Sequence, residues 1–203
     1  MNSKLILQIT FFIILTQIKS QTSLPKVVSG KINRIENFKS RYITERNVDI
    51  WLPEGYSDTI KYAVLYMHDG QMLFDSTQTW NKKEWKIDEG VATTLARYTH
   101  DPFIVVGIHN DPLNRYAEFF PQAVATYMPE SYRSLLMEKL WNGELKADAY
   151  LRWIEEMLVP FVEDQFKVGK KTKDRMVMGS SMGGLISLYA FCEKPKLFGG
   201  AAC

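Results

Sequence analysis

Gly179-Ser180-Ser181-Met182-Gly183 sets a serine between two glycines, directly after the short apolar run 175–178 and before 184–192, whose apolar spacing is helical. A strand that turns sharply into a helix crowds the backbone around the residue at its apex. Positions two before and two after that apex must then be small, and glycine meets the demand at Gly179 and Gly183. The pattern is that of a nucleophile elbow, with the hydroxyl of Ser181 held out at the top of a sheet. Ser180 stands at a crowded position of the turn and reads as structural.

Working outward, 62–67 is a nearly unbroken apolar run, as expected of a strand covered on both faces, and it stops at His68-Asp69-Gly70-Gln71. A second such run, 103–108, ends at His109 and Asn110. The stretch 41–51 alternates like a half-exposed strand, and 198–203 supplies the last one. Helices are expected at 87–98, with Ile87, Val91 and Leu95 on one face, weakly across 127–143, and over 148–166, where Pro160 should kink or divide the helix. Unbroken apolar strands separated by helices predict an α/β fold: a mostly parallel sheet with helices on both faces and ligands gathered at the carboxyl ends of the strands. His68, His109 and Ser181 all fall at such ends.

A serine hydroxyl is a weak nucleophile at neutral pH and needs a base within hydrogen-bond reach, usually a histidine oriented by a carboxylate. In hydrolases with this elbow the order along the chain is serine, acid, histidine. The sequence has no histidine after His109. The expectation is therefore a hydrolase domain incomplete at its C-terminus, lacking its last strands and helices and inactive as 203 residues. The oxyanion of acyl transfer needs two backbone N–H donors. Met182, which opens the helix, supplies one, and the turn after 62–67 supplies the other, with Gln71 preferred and Gly70 next.

Other polar residues have two readings each. His68 is either a general base or part of a pocket wall, and Asp69 either touches substrate or makes ordinary turn contacts beside glycine. His109 and Asp111 are similar cases. Arg115 and Glu118 either bind substrate or pair with each other on the surface. His100 reads as solvated. No helical His-x-x-x-His spacing or cysteine pair suggests a metal. Trp80, Trp85, Phe119, Phe120, Tyr127 and Trp141 line a pocket or, in most cases, pack the core.

The net charge of +2, with lysines scattered among carboxylates, leaves no electrostatic footprint for nucleic acid or an anionic membrane. Lys4 followed by the apolar run from Leu5 to Leu15 and by Ser20 has the form of a secretory signal peptide over 1–20, an uncleaved anchor being the alternative. That leaves 21–203 as one domain, exported to the periplasm or beyond, with no stable membrane insertion once the signal is removed. Cys192 and Cys203 are read as buried thiols rather than as a disulfide.

Three stretches together carry a resemblance: Val64 to Gln71, Val105 to Ile108 with Arg115 and Glu118 following, and Met178 to Gly184. From residue 41 to 203 the chain resembles the esterase family of α/β hydrolases that includes esterase D, feruloyl and enterochelin esterases and the mycobacterial mycolyltransferases. The resemblance implies an α/β-hydrolase fold, a serine carboxylic-ester hydrolase with no cofactor, and a small-molecule ester as substrate. It carries over Ser181 as nucleophile and Met182 and Gln71 as oxyanion donors. An acyltransferase of the same family and a non-catalytic binding protein on the same fold stay open. The acyl and alcohol groups and the oligomeric state are not specified.

Overall fold

The computed structural model describes residues 23–97 and 102–203. The segment read as a signal peptide, and His100, lie outside the described residues. Six strands form one sheet in the order β1-β2-β4-β3-β5-β6. β1 (Lys31–Phe38) and β2 (Arg46–Leu52) are antiparallel to each other, and β2 is antiparallel to β4 (Phe103–Ile108). β3 (Ala63–His68), β4, β5 (Arg175–Met178) and β6 (Gly200–Ala202) are mutually parallel, with β3 between β4 and β5. This is the mostly parallel α/β sheet that the apolar runs predicted, in the α/β-hydrolase fold that the family resemblance implies.

The strands sort their side chains by face, as a period of two requires. Val48 and Ile50 of β2, Val64 and Tyr66 of β3, and Ile104 and Val106 of β4 enter the larger core, against Trp153, Ile154 and Ile186. Trp51, Met67 and Val105 point the other way and meet Leu73, Val91 and the partly buried Ile87 of α1 (Ile87–Arg97). Because both faces are covered, β2 is buried along almost its whole length rather than half-exposed, and it begins at Arg46. β1 escapes the sequence pattern. Lys31, Asn33 and Glu36 interrupt its apolar residues, as suits an edge strand held by its ladder to β2.

After β4 come α2 (Arg115–Phe119), the single turn α3 (Gln122–Ala125) and α4 (Glu130–Lys139), which is the helix expected weakly across 127–143. The segment 148–166 is one helical run in three parts. α5 (Ala147–Trp153) passes through a π turn (Ile154–Leu158) into α6 (Val159–Gln165), with Pro160 in the first turn of α6. Proline has no N–H to give the preceding turn, and the π turn ends just before it, at Leu158, while the helical run continues.

α7 (Met182–Glu193) follows β5 and buries Ile186, Ser187 and Ala190. Its other side exposes Leu185, Leu188 and Phe191, and no described strand pairs with the outer edge of β6. Cys192 and Cys203 are exposed free thiols, not the buried ones expected.

Candidate functional site

β5 ends at Met178, and the chain turns into α7 through Ser181 at φ 58° and ψ −121°. That conformation is costly for any residue with a Cβ, and such strain persists only where the surroundings impose it. The imposition is visible at Gly179. A Cβ there would fall 2.5 Å from both the carbonyl carbon and oxygen of Gly183. At Gly183 an added Cβ would meet Asp69 Oδ2 at 3.4 Å and His68 Cβ at 3.5 Å, which are ordinary contacts. The demand for glycine thus rests on Gly179, and the start of α7 lies against the end of β3.

Ser181 is exposed, and its side chain makes no capping bond to α7. Gly183 N–H donates to the Ser180 carbonyl at 2.9 Å and Leu185 N–H to the Ser181 carbonyl at 3.1 Å. Met182, the first residue of the helix, has its N–H outside the helical ladder, where first-turn donors point outward.

The turn after β3 is built as tightly. Asp69 adopts φ 58° and ψ 44°, and Gly70–Met72 forms a single 3-10 turn. Met72 N–H donates to the Asp69 carbonyl at 2.8 Å and Leu73 N–H to that of Gly70 at 3.4 Å, so the Gln71 N–H takes no part in the turn's own bonds. A Cβ on Gly70 would lie 2.5 Å from the carbonyl carbon of Gly107, which fixes the turn against the end of β4. Side chains strap it further. Arg115 donates to both Asp69 oxygens, Nε to Oδ1 and Nη2 to Oδ2, each at 2.7 Å. Asn110 Nδ2 also donates to Asp69 Oδ1, at 2.5 Å, and its backbone N–H donates to Gln71 Oε1 at 3.1 Å.

Arg115 and Glu118 do not pair with each other. Both sit on α2, but Glu118 is fully buried and receives Arg46 Nη1 at 2.8 Å and Nη2 at 2.7 Å, in a fork suited to a carboxylate. The Arg46 guanidinium lies 5.5 Å from the ring centres of both Tyr150 and Trp153. Burial on this scale leaves the Glu118 carboxylate no route to a ligand in solvent.

His68 is equally enclosed. Its Nδ1 shares a 2.8 Å hydrogen bond with the Tyr150 hydroxyl, its Nε2 has no partner, and its ring centre is 5.3 Å from that of Phe119. Burial pulls its pKa down to about 4, so the ring is neutral at pH 7. His109 is committed elsewhere. Its Nε2 lies 2.8 Å from Oδ2 of Asp49, a buried carboxylate also held by Arg34 Nε at 2.6 Å and Nη2 at 2.7 Å. Burial opposes the Asp49 charge, but the bonds from Arg34 and His109 outweigh it and hold its pKa below the usual carboxylate range.

The structure sets Ser181 after β5 and His68 and Asp69 at the end of the adjacent β3, with the start of α7 at Gly183 lying against both, Arg115 and Asn110 bonded to Asp69, and Glu118 buried away from solvent. Sequence reasoning missed Arg46, Asp49 and Tyr150. Asp49 between Val48 and Ile50 was the available signal, since a carboxylate inside a buried strand requires partners. Of the aromatic residues, Phe119 and Trp141 are core, Phe120 packs on Trp141, and Trp80 and Tyr127 are exposed. Among the described residues no group of three or more histidine, cysteine or carboxylate side chains is placed to hold a metal, and no helix is long and apolar enough to cross a membrane.

Residues 40–203 match the family model described as "Putative esterase". The chain is a member of this esterase family. Two Bacillus subtilis proteins, the uncharacterized YjcH and YbbA, are each 25% identical to it, over 84% and 76% of this chain and 60% and 54% of their own lengths. The chain thus spans little more than half the length of these curated relatives. Among solved structures it is similar to an IroE-like serine hydrolase from Shewanella oneidensis (24% identity, TM-score 0.57, covering 84% of this chain and 49% of that one). It is also similar to a ferulic acid esterase from Anaeromyces mucronatus (20% identity, TM-score 0.56, 90% and 60%) and to the enterobactin esterase of Shigella flexneri (18%, 0.59, 87% and 37%). At these identities the esterase structures speak for a shared fold.

Proposed function

We propose that this esterase-family chain carries the nucleophile and the oxyanion donors of a serine carboxylic-ester hydrolase acting on small-molecule esters. The observation that supports it most is the strained, exposed Ser181, whose hydroxyl serves no helix cap. In the proposed reaction Ser181 Oγ attacks the ester carbonyl carbon and passes its proton to a histidine. The carbonyl oxygen becomes an oxyanion between the Met182 and Gln71 N–H groups. Collapse expels the alcohol, which takes the proton back from the histidine, and leaves an acyl group on Ser181. Water then repeats the sequence and releases the acid.

Of the described histidines, His68 is engaged by Tyr150 and His109 by Asp49, so neither is assigned as the base. The same observation gives the competing reading its weight: a binding protein that kept the fold without a base. A panel of p-nitrophenyl esters and peptides, run on the full-length protein and its Ser181→Ala variant, separates the two. Ester cleavage lost in the variant supports the hydrolase, and no Ser181-dependent turnover on any substrate supports the binding protein. Acyl transfer to an added alcohol in place of water would assign the chain to the acyltransferases.

Lys4 and the apolar run after it support export. N-terminal sequencing of the mature protein should then begin just past Ser20, and a retained Met1 would contradict it.

A further inference from the structure

We propose that Arg115 is a positioning residue for the turn that offers the Gln71 N–H to the oxyanion. The inference rests on the serine-hydrolase reading and assigns a task to a side chain that reading does not use. Gln71 is two residues past Asp69, whose left-handed backbone sets the direction of the turn. A non-glycine residue held at positive φ costs free energy and relaxes unless its surroundings over-determine it.

Two constraints act on it. From beneath, the Gly70–Gly107 approach allows no inward movement. From the side, the Arg115 fork occupies both Asp69 oxygens at 2.7 Å, with Asn110 adding a third bond and reaching Gln71 Oε1 through its own N–H. Arg115 is itself seated. Its guanidinium lies 5.1 Å from the ring centre of Phe119, which is fully buried against His68. A planar fork fixes the carboxylate in rotation as well as distance, which a point charge does not.

Loosening the fork should therefore misplace a donor that matters in the transition state and leave ground-state binding nearly untouched. The experiment compares Arg115→Gln and Arg115→Lys with wild type in the full-length protein, using p-nitrophenyl butyrate and a trifluoromethyl ketone whose serine adduct carries an oxyanion. The expected result is a kcat lower by about 10- to 100-fold with KM within about twofold, and a trifluoromethyl ketone Ki raised by the same factor as kcat falls. Lysine should restore little of this. If Arg115→Gln fails to fold, Asp69→Asn reads the same contact from the other side and should give the same split.

A folded variant with kcat and Ki unchanged overturns the proposal, and a rise in KM alone overturns it in favour of direct substrate contact by Arg115. If wild type and Ser181→Ala hydrolyse the ester equally, the serine reading itself fails and takes this inference with it. That outcome is distinct from a Ser181-dependent enzyme indifferent to Arg115.

Discussion

The backbone of Gly183 approaches position 179 so closely that a Cβ there would lie 2.5 Å from the Gly183 carbonyl carbon and oxygen, while a Cβ on Gly183 itself would make only ordinary contacts. The two glycines of the motif are therefore not equivalent. Gly179→Ala must open the turn between β5 and α7 and should abolish reactivity at Ser181, with a stability loss of about 2 kcal/mol or more from strain. Gly183→Ala should change stability by less than about 1 kcal/mol, since alanine is also the better helix former. Urea unfolding midpoints of the two variants check this, and equal losses would contradict it.

The buried Arg46–Glu118 pair makes a second asymmetry. Removing one partner leaves an uncompensated charge between Tyr150 and Trp153, and Glu118→Ala should cost about 3–5 kcal/mol. The double variant Arg46→Met/Glu118→Leu should recover most of that loss, because the apolar pair leaves no charge buried. A double variant as unstable as the single would show that the pair itself stabilises the fold.

His68 predicts the acid limb of stability. Burial lowers its folded pKa to about 4, below the value near 6.5 of an unfolded histidine, so the unfolded chain takes up the extra proton first. Stability contributed by neutral His68 is full above pH 6.5, falls as pH drops towards 4, and levels off below it, for a total on the order of 3 kcal/mol. Asp49 acts lower. Its folded pKa is depressed, so its contribution is present above the ordinary carboxylate pKa and is lost as pH falls through the depressed one. Unfolding midpoints measured from pH 7.5 to 4 should slope downward in wild type and be flatter in His68→Asn. Equal slopes would mean that the ring is not held neutral.

Trp153 packs in the larger core with no exposure, edge-on to Phe38 at 5.8 Å and beside Tyr150. Trp153→Ala should cost about 3–5 kcal/mol by emptying the space where the π turn begins. A loss below about 1 kcal/mol would mean that the helical run shifts to refill it.

The central sheet and the elbow were legible because β3, β4 and β5 are apolar runs with few polar interruptions, and because Gly179 stands where only glycine fits. What the sequence did not disclose is partnership. Arg115 and Glu118 lie three residues apart on one helix, which suggested a mutual pair, yet their partners Asp69 and Arg46 come from β3's end and β2's start, brought close only by the sheet order. β1 was invisible for another reason. An edge strand is specified by its ladder, and the alternation of Ile32 and Ile35 with charged neighbours is too weak to stand alone.

Reaction of the full-length protein with a fluorophosphonate, followed by intact mass and peptide mapping, tests the central claim most directly. A single phosphonyl adduct on the peptide containing Ser181, absent in Ser181→Ala, is the predicted result. Equal labelling of both proteins, or no adduct on that serine in the folded wild type, would contradict it.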